Sequence, residues 1–245
     1  MYSPELQRSG EISSGVDVWA KKVSYPVIEK WYDGHDYHSD SGEGLDFYKV
    51  GPSRGCGGLG IYENGNLYVS KNYSDYEIIS RGPIRCVFEL EYKPWQAGEY
   101  LVKETKRISL DKGSNLSRFE IDFDVISGGD NFTVAAGIVK RDDRGQVSYN
   151  LSNNWLSYQQ PRIGDLGIIS CGIVIPEGDK ISYEDDKGHC LLLADIESDN
   201  EFVYYAGACW NKSGQFENIS EWNEYLSDYS EKVNNPVEVQ LQELK

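Results

Sequence analysis

The chain has 245 residues and carries 24 basic against 40 acidic side chains, a net charge of −16. That balance excludes a binder of nucleic-acid backbones, which needs a basic face, and no run of about 18 apolar residues exists to span a membrane. Tyrosine (18), tryptophan (6) and glycine (25) are abundant and methionine occurs once, which disfavours a helical bundle and suits pleated strands joined by tight turns.

In chain order, residues 1–16 are polar and read as a lead-in, and 16–20 alternate. Residues 31–44 form a loop dense in Gly, Asp, His, Ser and Tyr, followed by a short strand at 45–50. The stretch 51–60 holds five glycines, the mark of tight turns or of close backbone approach. An Asn64-Gly65 hairpin turn leads into a strand at 66–70. Further strands are predicted at 76–80, 85–92, 100–110, 117–126, 132–140, 167–175, 189–196 and 201–210. The clearest is 117–126, with Phe119, Ile121, Phe123 and Val125 inward and charged residues between them. The last two are expected to pair across a turn at 198–200. Only 220–233 has helical spacing, with Ser220 as N-cap and Trp222, Tyr225, Leu226 and Tyr229 on one side. The sum is one all-β domain over 1–245, an antiparallel β-sandwich of about ten to twelve strands in two sheets with one short C-terminal helix.

The five cysteines contain no Cys-x-x-Cys pair, which speaks against a zinc site of that kind. Buried inert thiols account for most of them, with a Cys190–Cys209 bridge left open. The chemistry concentrates elsewhere. Two of the three histidines, His35 and His38, sit with Tyr37 and Asp40 in one loop. Such groups supply acid, base or metal ligands near neutral pH, the alternative being a polar surface loop. His35, His38 and Asp40 form a candidate set for a divalent metal, the one cofactor the residues suggest. The glycine-rich stretch lacks the Gly-Lys-Ser/Thr of a phosphate cradle; Ser53 and Arg54 in it read as lining the site. Arg81 and Arg85 bracket a Gly-Pro turn, and each needs either an internal carboxylate or a substrate carboxylate. Lys140 ends a strand of small residues and can reach a cleft or solvent. Trp155 and Trp210 serve as sugar-stacking platforms or as core.

Several motifs together resemble one family. They are Gly-Glu-Gly-Leu-Asp-Phe-Tyr at 42–48, Val-Gly-Pro-Ser-Arg-Gly-Cys-Gly-Gly at 50–58 and Arg-Gly-Pro-Ile-Arg at 81–85. Ala-Ala-Gly-Ile at 135–138, Tyr-Ala-Gly-Ala-Cys-Trp at 205–210 and Trp-Asn-Glu-Tyr-Leu at 222–226 complete the set. By these the chain resembles the domain of unknown function 4861 family of bacterial polysaccharide-utilisation loci, from about residue 1 to about 240. The resemblance implies a galactose-mutarotase-like supersandwich and an acidic oligosaccharide as partner. It also implies a periplasmic place of action and a dehydratase of the kind that acts on ulvan oligosaccharides. Such an enzyme converts a non-reducing-end uronic acid into a 4,5-unsaturated sugar. Family members carry further residues ahead of the segment matching Met1-Tyr2, so the sandwich is expected to be incomplete at its amino-terminal end. For that reaction His35 or His38, with Tyr37, would supply acid and base, and Arg81 or Arg85 would hold the carboxylate. Lys140 and Tyr92 stand as second-rank acids or bases, and Trp155 and Trp210 as stacking surfaces. The runner-up readings are a non-catalytic carbohydrate-binding sandwich and a mutarotase or epimerase, among which fold alone does not choose.

Overall fold

The computed structural model describes residues 1–33, 36–142, 144–177, 180–198 and 200–238. The amino-terminal part contains α1 (Pro4–Arg8), β1 (Ala20–Lys21), α2 (Ile28–Tyr32) and β2 (Gly44–Leu45). Next come β3 (Cys56–Glu63), β4 (Asn66–Tyr68), β5 (Asp75–Arg81), β6 (Arg85–Glu91) and β7 (Trp95–Ala97). The long strands β8 (Tyr100–Asp111), β9 (Leu116–Ser127) and β10 (Asn131–Val139) precede β11 (Gln146–Asn150), β12 (Trp155–Gln159) and β13 (Ile169–Val174). The chain continues through β14 (Lys180–Asp186), β15 (His189–Glu197) and β16 (Phe202–Trp210) to α3 (Ile219–Asn234).

The strands build an antiparallel sandwich. One sheet runs β14-β15-β10-β3-β4, and the other runs β11-β12-β13-β16-β9-β8-β6-β5 with β7 paired to β8. Their facing sides supply the core: Leu59, Ile61, Val134, Ala136 and Leu192 from the first, Ile108, Phe119, Ile121, Ile173 and Tyr204 from the second. Alternation dictates this, because every second side chain of a strand points inward. The inward set read from 117–126 holds, with Phe119 2%, Ile121 0% and Phe123 6% exposed. Helix α3 covers the outer face of the large sheet, where Trp222 and Leu226 pack on Leu116, Trp155, Val174 and Cys209. Gly172 makes that approach possible, since a β-carbon there would fall 2.7 Å from Leu226 Cδ2.

Several expectations are corrected. The glycine-rich stretch is largely strand: 56–63 is β3, an interior strand of the small sheet. Gly57, at φ +94°, lets β3 press against Ala206 of the opposite sheet, where any side chain would collide. Residues 46–55 are connection rather than strand, and only Gly44–Leu45 pairs. Sixteen strands form among the described residues, because β11, β12 and β14 are too short or too polar to stand out by pattern. Strands β15 and β16 do not pair; the chain crosses from one sheet to the other between them. The helix cap is Asn218, whose side chain accepts from the Ser220 and Glu221 amides, two residues ahead of the expected Ser220. All five cysteines are free, with Cys190 on the small sheet and Cys209 on the large one.

The core also holds charge. On β8 the inward series is Val102, Glu104, Lys106 and Ile108, so a carboxylate and an ammonium sit at 1% and 0% exposure. They lie 3.4 Å apart, with Lys106 Nζ 4.6 Å from the centre of the Tyr92 ring. Burial lowers the Lys106 pKa, opposed by the Glu104 charge, and lowers that of nearby buried Arg54 to about 10.

Candidate functional site

Beside the end of the sandwich where β10 runs out, the loops 16–19 and 36–48 assemble aromatic and ionisable groups. Trp19 stacks on Trp31 (5.5 Å, 14° between planes) and on Tyr37 (5.3 Å, 11°), and Tyr32 tilts against Trp19 and Tyr37 at 5.3 Å. Trp31 is buried and Tyr32 is 61% exposed, so this stack grades from core to an open aromatic wall. The Tyr37 ring continues onto the His38 ring at 4.3 Å.

His38 Nδ1 lies 2.9 Å from the Asp46 carbonyl oxygen and 3.8 Å from its Oδ2. A carbonyl only accepts, so Nδ1 donates, and in the neutral imidazole Nε2 carries the lone pair. The His38 side chain is 61% exposed and that of Asp46 13%. Behind them, Arg141 follows the last residue of β10 by two positions, its backbone N–H donating to the Tyr158 hydroxyl at 3.0 Å. Its guanidinium carbon lies 4.9 Å from the centre of the Tyr48 ring, a cation–π seat. Its charge also reaches the Asp17 carboxylate. Arg141 Nη2 and Asp46 Oδ1 are both buried, and neither has a hydrogen-bond partner among the described residues. The Tyr48 hydroxyl is likewise buried without a partner among the described residues, so unsatisfied polar atoms cluster at this end of the fold.

The electrostatics agree. Burial first, and the charge of Asp17 second, push the Asp46 carboxyl up to about 6, while His38 pulls it down. Burial likewise raises Asp17, opposed by the Val18 amide and other groups. A carboxyl raised in the folded state costs stability when it ionises: the penalty is absent below about pH 4 and complete above about pH 6. Asp46→Asn therefore melts higher than the parent at pH 7, by at most about 3 kcal/mol of stability, and the gain vanishes at pH 4. Thermal melts at the two pH values check this, and an equal difference at both would remove ionisation as its cause.

Comparison with known sequences places the chain in a family. The family model described as domain of unknown function (DUF4861) matches residues 1–239. The chain belongs to the DUF4861 family. It is 40% identical to uncharacterized protein P7 of Formosa agariphila, over 98% of this chain and 64% of that protein. The chain thus spans somewhat under two thirds of the length of that relative.

The DUF4861 motifs scatter over the fold, and only part of them meets at this end. Asp46, from the 42–48 motif, does, beside His38 and Tyr37 of the histidine loop. His35 lies outside the described residues. Lys140, next to Arg141, is ion-paired with Asp185. Ser53 is spent on the turn, donating to the Val50 carbonyl and accepting from the Gly55 amide. Arg54 is 2% exposed and binds Ser14 Oγ and the Leu59 carbonyl, both at 3.0 Å, so it braces the interior instead of lining a cleft. Tyr92 is 1% exposed, and its hydroxyl donates to Met1 Sδ. Arg81 is exposed on the edge strand β5. Arg85, on β6, forms a bidentate pair with Asp111 at 2.6 and 2.7 Å, three strands away from β16. Its partner is thus an internal carboxylate, and neither arginine joins the histidine loop.

Both tryptophans are core. Trp155 lies under α3 with its ring N–H on Ser227 Oγ, and Trp210 is 3% exposed with its ring N–H on the Leu166 carbonyl. Of the candidate metal set, only His38 and Asp40 lie among the described residues. Asp40 already accepts from the Gly42 and Gly44 amides and from Lys22, and His38 Nδ1 is engaged. Among the described residues no group of three or more His, Cys, Asp or Glu is arranged to hold one. No helix among them is long and apolar enough to cross a membrane.

Sequence reasoning missed Asp17, Asp46 and Arg141 as site residues. Asp46 stands inside the 42–48 motif, and Arg141 follows Lys140, so both adjoin residues that the motifs single out. Asp17 carries no signal, since its place beside Asp46 depends on a loop crossing the end of a sheet.

Proposed function

We propose that this protein is a carbohydrate-active lyase. It removes water from the uronic acid at the non-reducing end of an acidic oligosaccharide, of the ulvan type, and acts in the periplasm. The family resemblance supports the reaction class and the compartment. The residue roles rest on one observation: the unpartnered Arg141 N–H set beside the His38–Asp46–Asp17 group. Arg141 holds the substrate carboxylate and takes up the charge that spreads onto it when the C5 proton leaves. His38 Nε2, the free lone pair, removes that proton. The Asp46 carboxyl, held at about 6 by burial and Asp17, keeps a protonated fraction near neutrality and gives its proton to the departing C4 hydroxyl. The C5–H and C4–O bonds break, the C4=C5 double bond forms, and one water leaves. The proton gained by His38 and the one lost by Asp46 return through solvent. Tyr32, 61% exposed, and Tyr37 beside it offer the ring faces on which sugars pack.

The test mixes the protein with uronic-acid oligosaccharides, ulvan fragments first. It follows the ultraviolet absorbance of the conjugated product together with its mass. A rise with a mass lower by one water is the expected result. A chain split into two sugars makes the protein a depolymerising lyase instead. The open aromatic wall favours one other reading, a carbohydrate-binding module. Silence in both readouts, with a melting temperature raised by one of the sugars, would establish that module and overturn the lyase.

A further inference from the structure

The third histidine sits where β10 runs out. His189 opens β15, paired with Val139 of β10 on one side and Asp186 of β14 on the other. Its half-buried ring reaches across the end of β10 to the turn that leads into β3, and its Nε2 accepts the Arg54 backbone N–H at 3.2 Å. A ring nitrogen that accepts carries no proton, so this imidazole is neutral with its proton on Nδ1. Its surroundings favour that form. Burial first, and the Arg54 charge second, lower the His189 pKa, with Asp186 opposing them and Lys140 adding to them.

The turn at 53–55 in its own right holds the segment before Asp17. The Arg54 carbonyl accepts from the Val16 amide at 3.2 Å, and the Val16 carbonyl accepts from the Cys56 amide at 2.9 Å. Val16 and Gly55 thereby form a parallel bridge. The contact is so close that a β-carbon on Gly55, at φ +59°, would fall 2.1 Å from the Val16 carbonyl oxygen. The turn is also tied to β10, since the Gly55 carbonyl accepts from the Val139 amide at 2.9 Å. Asp17 follows Val16 in the chain, and its charge is one that raises the Asp46 carboxyl. One series of backbone bonds thus runs from His189 through Arg54 and Val16 to Asp17. Arg54 is 2% exposed, so loss of the imidazole leaves a buried N–H without its acceptor. That state is costly, and a shift of the turn relieves it. Such a shift carries Val16 and Asp17 with it.

We infer that His189 is a positioning residue of this site: through the Arg54 N–H it holds the 53–55 turn against Val16 and so keeps Asp17 beside Asp46. The inference rests on the proposed function for the role of Asp46, and adds the residue that sets the surroundings of that acid. His189 itself is assigned no contact with substrate.

The experiment compares the parent with His189→Gln and His189→Leu. A glutamine oxygen can stand where Nε2 stands and accept the Arg54 N–H, whereas leucine keeps the bulk and offers no acceptor. The Asp46 carboxyl is titrated by carbon-13 NMR with no ligand present, and kcat for the unsaturated product is followed against pH with ulvan oligosaccharides. In the parent Asp46 titrates at about 6, and kcat falls above that pH as the acid loses its proton. In His189→Leu both midpoints are expected lower by about 0.5 in pH or more, because the Asp17 charge no longer stands close enough to oppose ionisation. His189→Gln is expected to keep both near the parent. Lost packing alone would lower the melting temperature and leave the Asp46 titration where it was. An unshifted Asp46 in folded His189→Leu overturns the inference, as does an equal shift in the leucine and glutamine variants. Should His189→Leu fail to fold, ring-nitrogen NMR of the parent decides: a proton on Nδ1 supports the inference, and a proton on Nε2 overturns it. If the oligosaccharides yield no product while the Asp46 titration follows the variants as stated, the lyase reading fails and the positioning stands. If product forms and His189→Leu keeps the parental titration and pH profile, the lyase reading stands and the positioning fails.

Discussion

Arg141→Lys lowers the rate of unsaturated-product formation by roughly 10²–10³-fold, the range seen when one donor to a developing oxyanion is lost. The charge is kept, so the loss isolates geometry. A guanidinium presents a planar fork that matches a carboxylate with two N–H bonds and lies flat on an aromatic face. Arg141 has that face in Tyr48, 4.9 Å from its central carbon, and has one buried N–H unspent. An ammonium on a flexible stem does neither. The carboxylate of the substrate is present in the ground state, but the negative charge on it grows only as the C5 proton leaves. The loss therefore appears mainly in kcat, with KM moving less. Arg141→Ala removes the charge as well and falls further. Millimolar guanidinium added to Arg141→Ala recovers part of the rate, which a purely structural arginine would not allow. A loss below tenfold in Arg141→Lys, in a protein with a parental melting temperature, means that another group holds the carboxylate.

Arg141 is visible in the sequence only as a neighbour of Lys140, and the reason is general to this fold. Period-two patterning announces a strand and its inward face, as at 117–126, because burial selects apolar residues on one side. It says nothing about which loops meet at the end of the sandwich, and Asp17, Asp46 and Arg141 meet there from distant parts of the chain. Scarcity locates His38, since two of the three histidines fall in one loop. Glycine misleads in the other direction. The run at 51–60 has the composition of a turn, yet Gly57 and its neighbours form β3 because the opposite sheet comes too close for a side chain. The charged interior is half legible. An inward cation in a sandwich does require a carboxylate, but the cation is Lys106 with Arg54 near it, and the carboxylate is Glu104. Arg81 and Arg85 stand out in the sequence only because they flank a Gly-Pro turn.

That interior yields the largest expected change in stability. Glu104→Gln costs about 3–5 kcal/mol, the range for removing one partner of a buried ion pair. At this chain length that lowers the melting temperature by roughly 10 °C or more. Lys106 is fully buried, and its Nζ has no hydrogen-bond partner among the described residues, so the Glu104 charge beside it and the Tyr92 ring face are what offset its desolvation. Without the carboxylate, Lys106 and the Arg54 guanidinium are two buried cations with no anion between them. The mirror substitution is milder. Lys106→Met leaves Glu104 facing Arg54, whose charge it already supports, and puts an unbranched apolar chain of similar length against Tyr92. Its cost should stay within about 1.5 kcal/mol, the usual limit for volume-conserving changes in a core. Glu104→Leu combined with Lys106→Met should recover most of what Glu104→Gln loses, because two matched apolar groups remove both desolvation costs together. Urea titrations of the four proteins, read by tryptophan fluorescence, give the order. If Glu104→Gln and Lys106→Met cost the same, Arg54 does not stand in for the lysine. If Glu104→Gln costs nothing, Lys106 is neutral in the folded protein, and the pair is a buried amine beside a carboxylate with no ion pair to break.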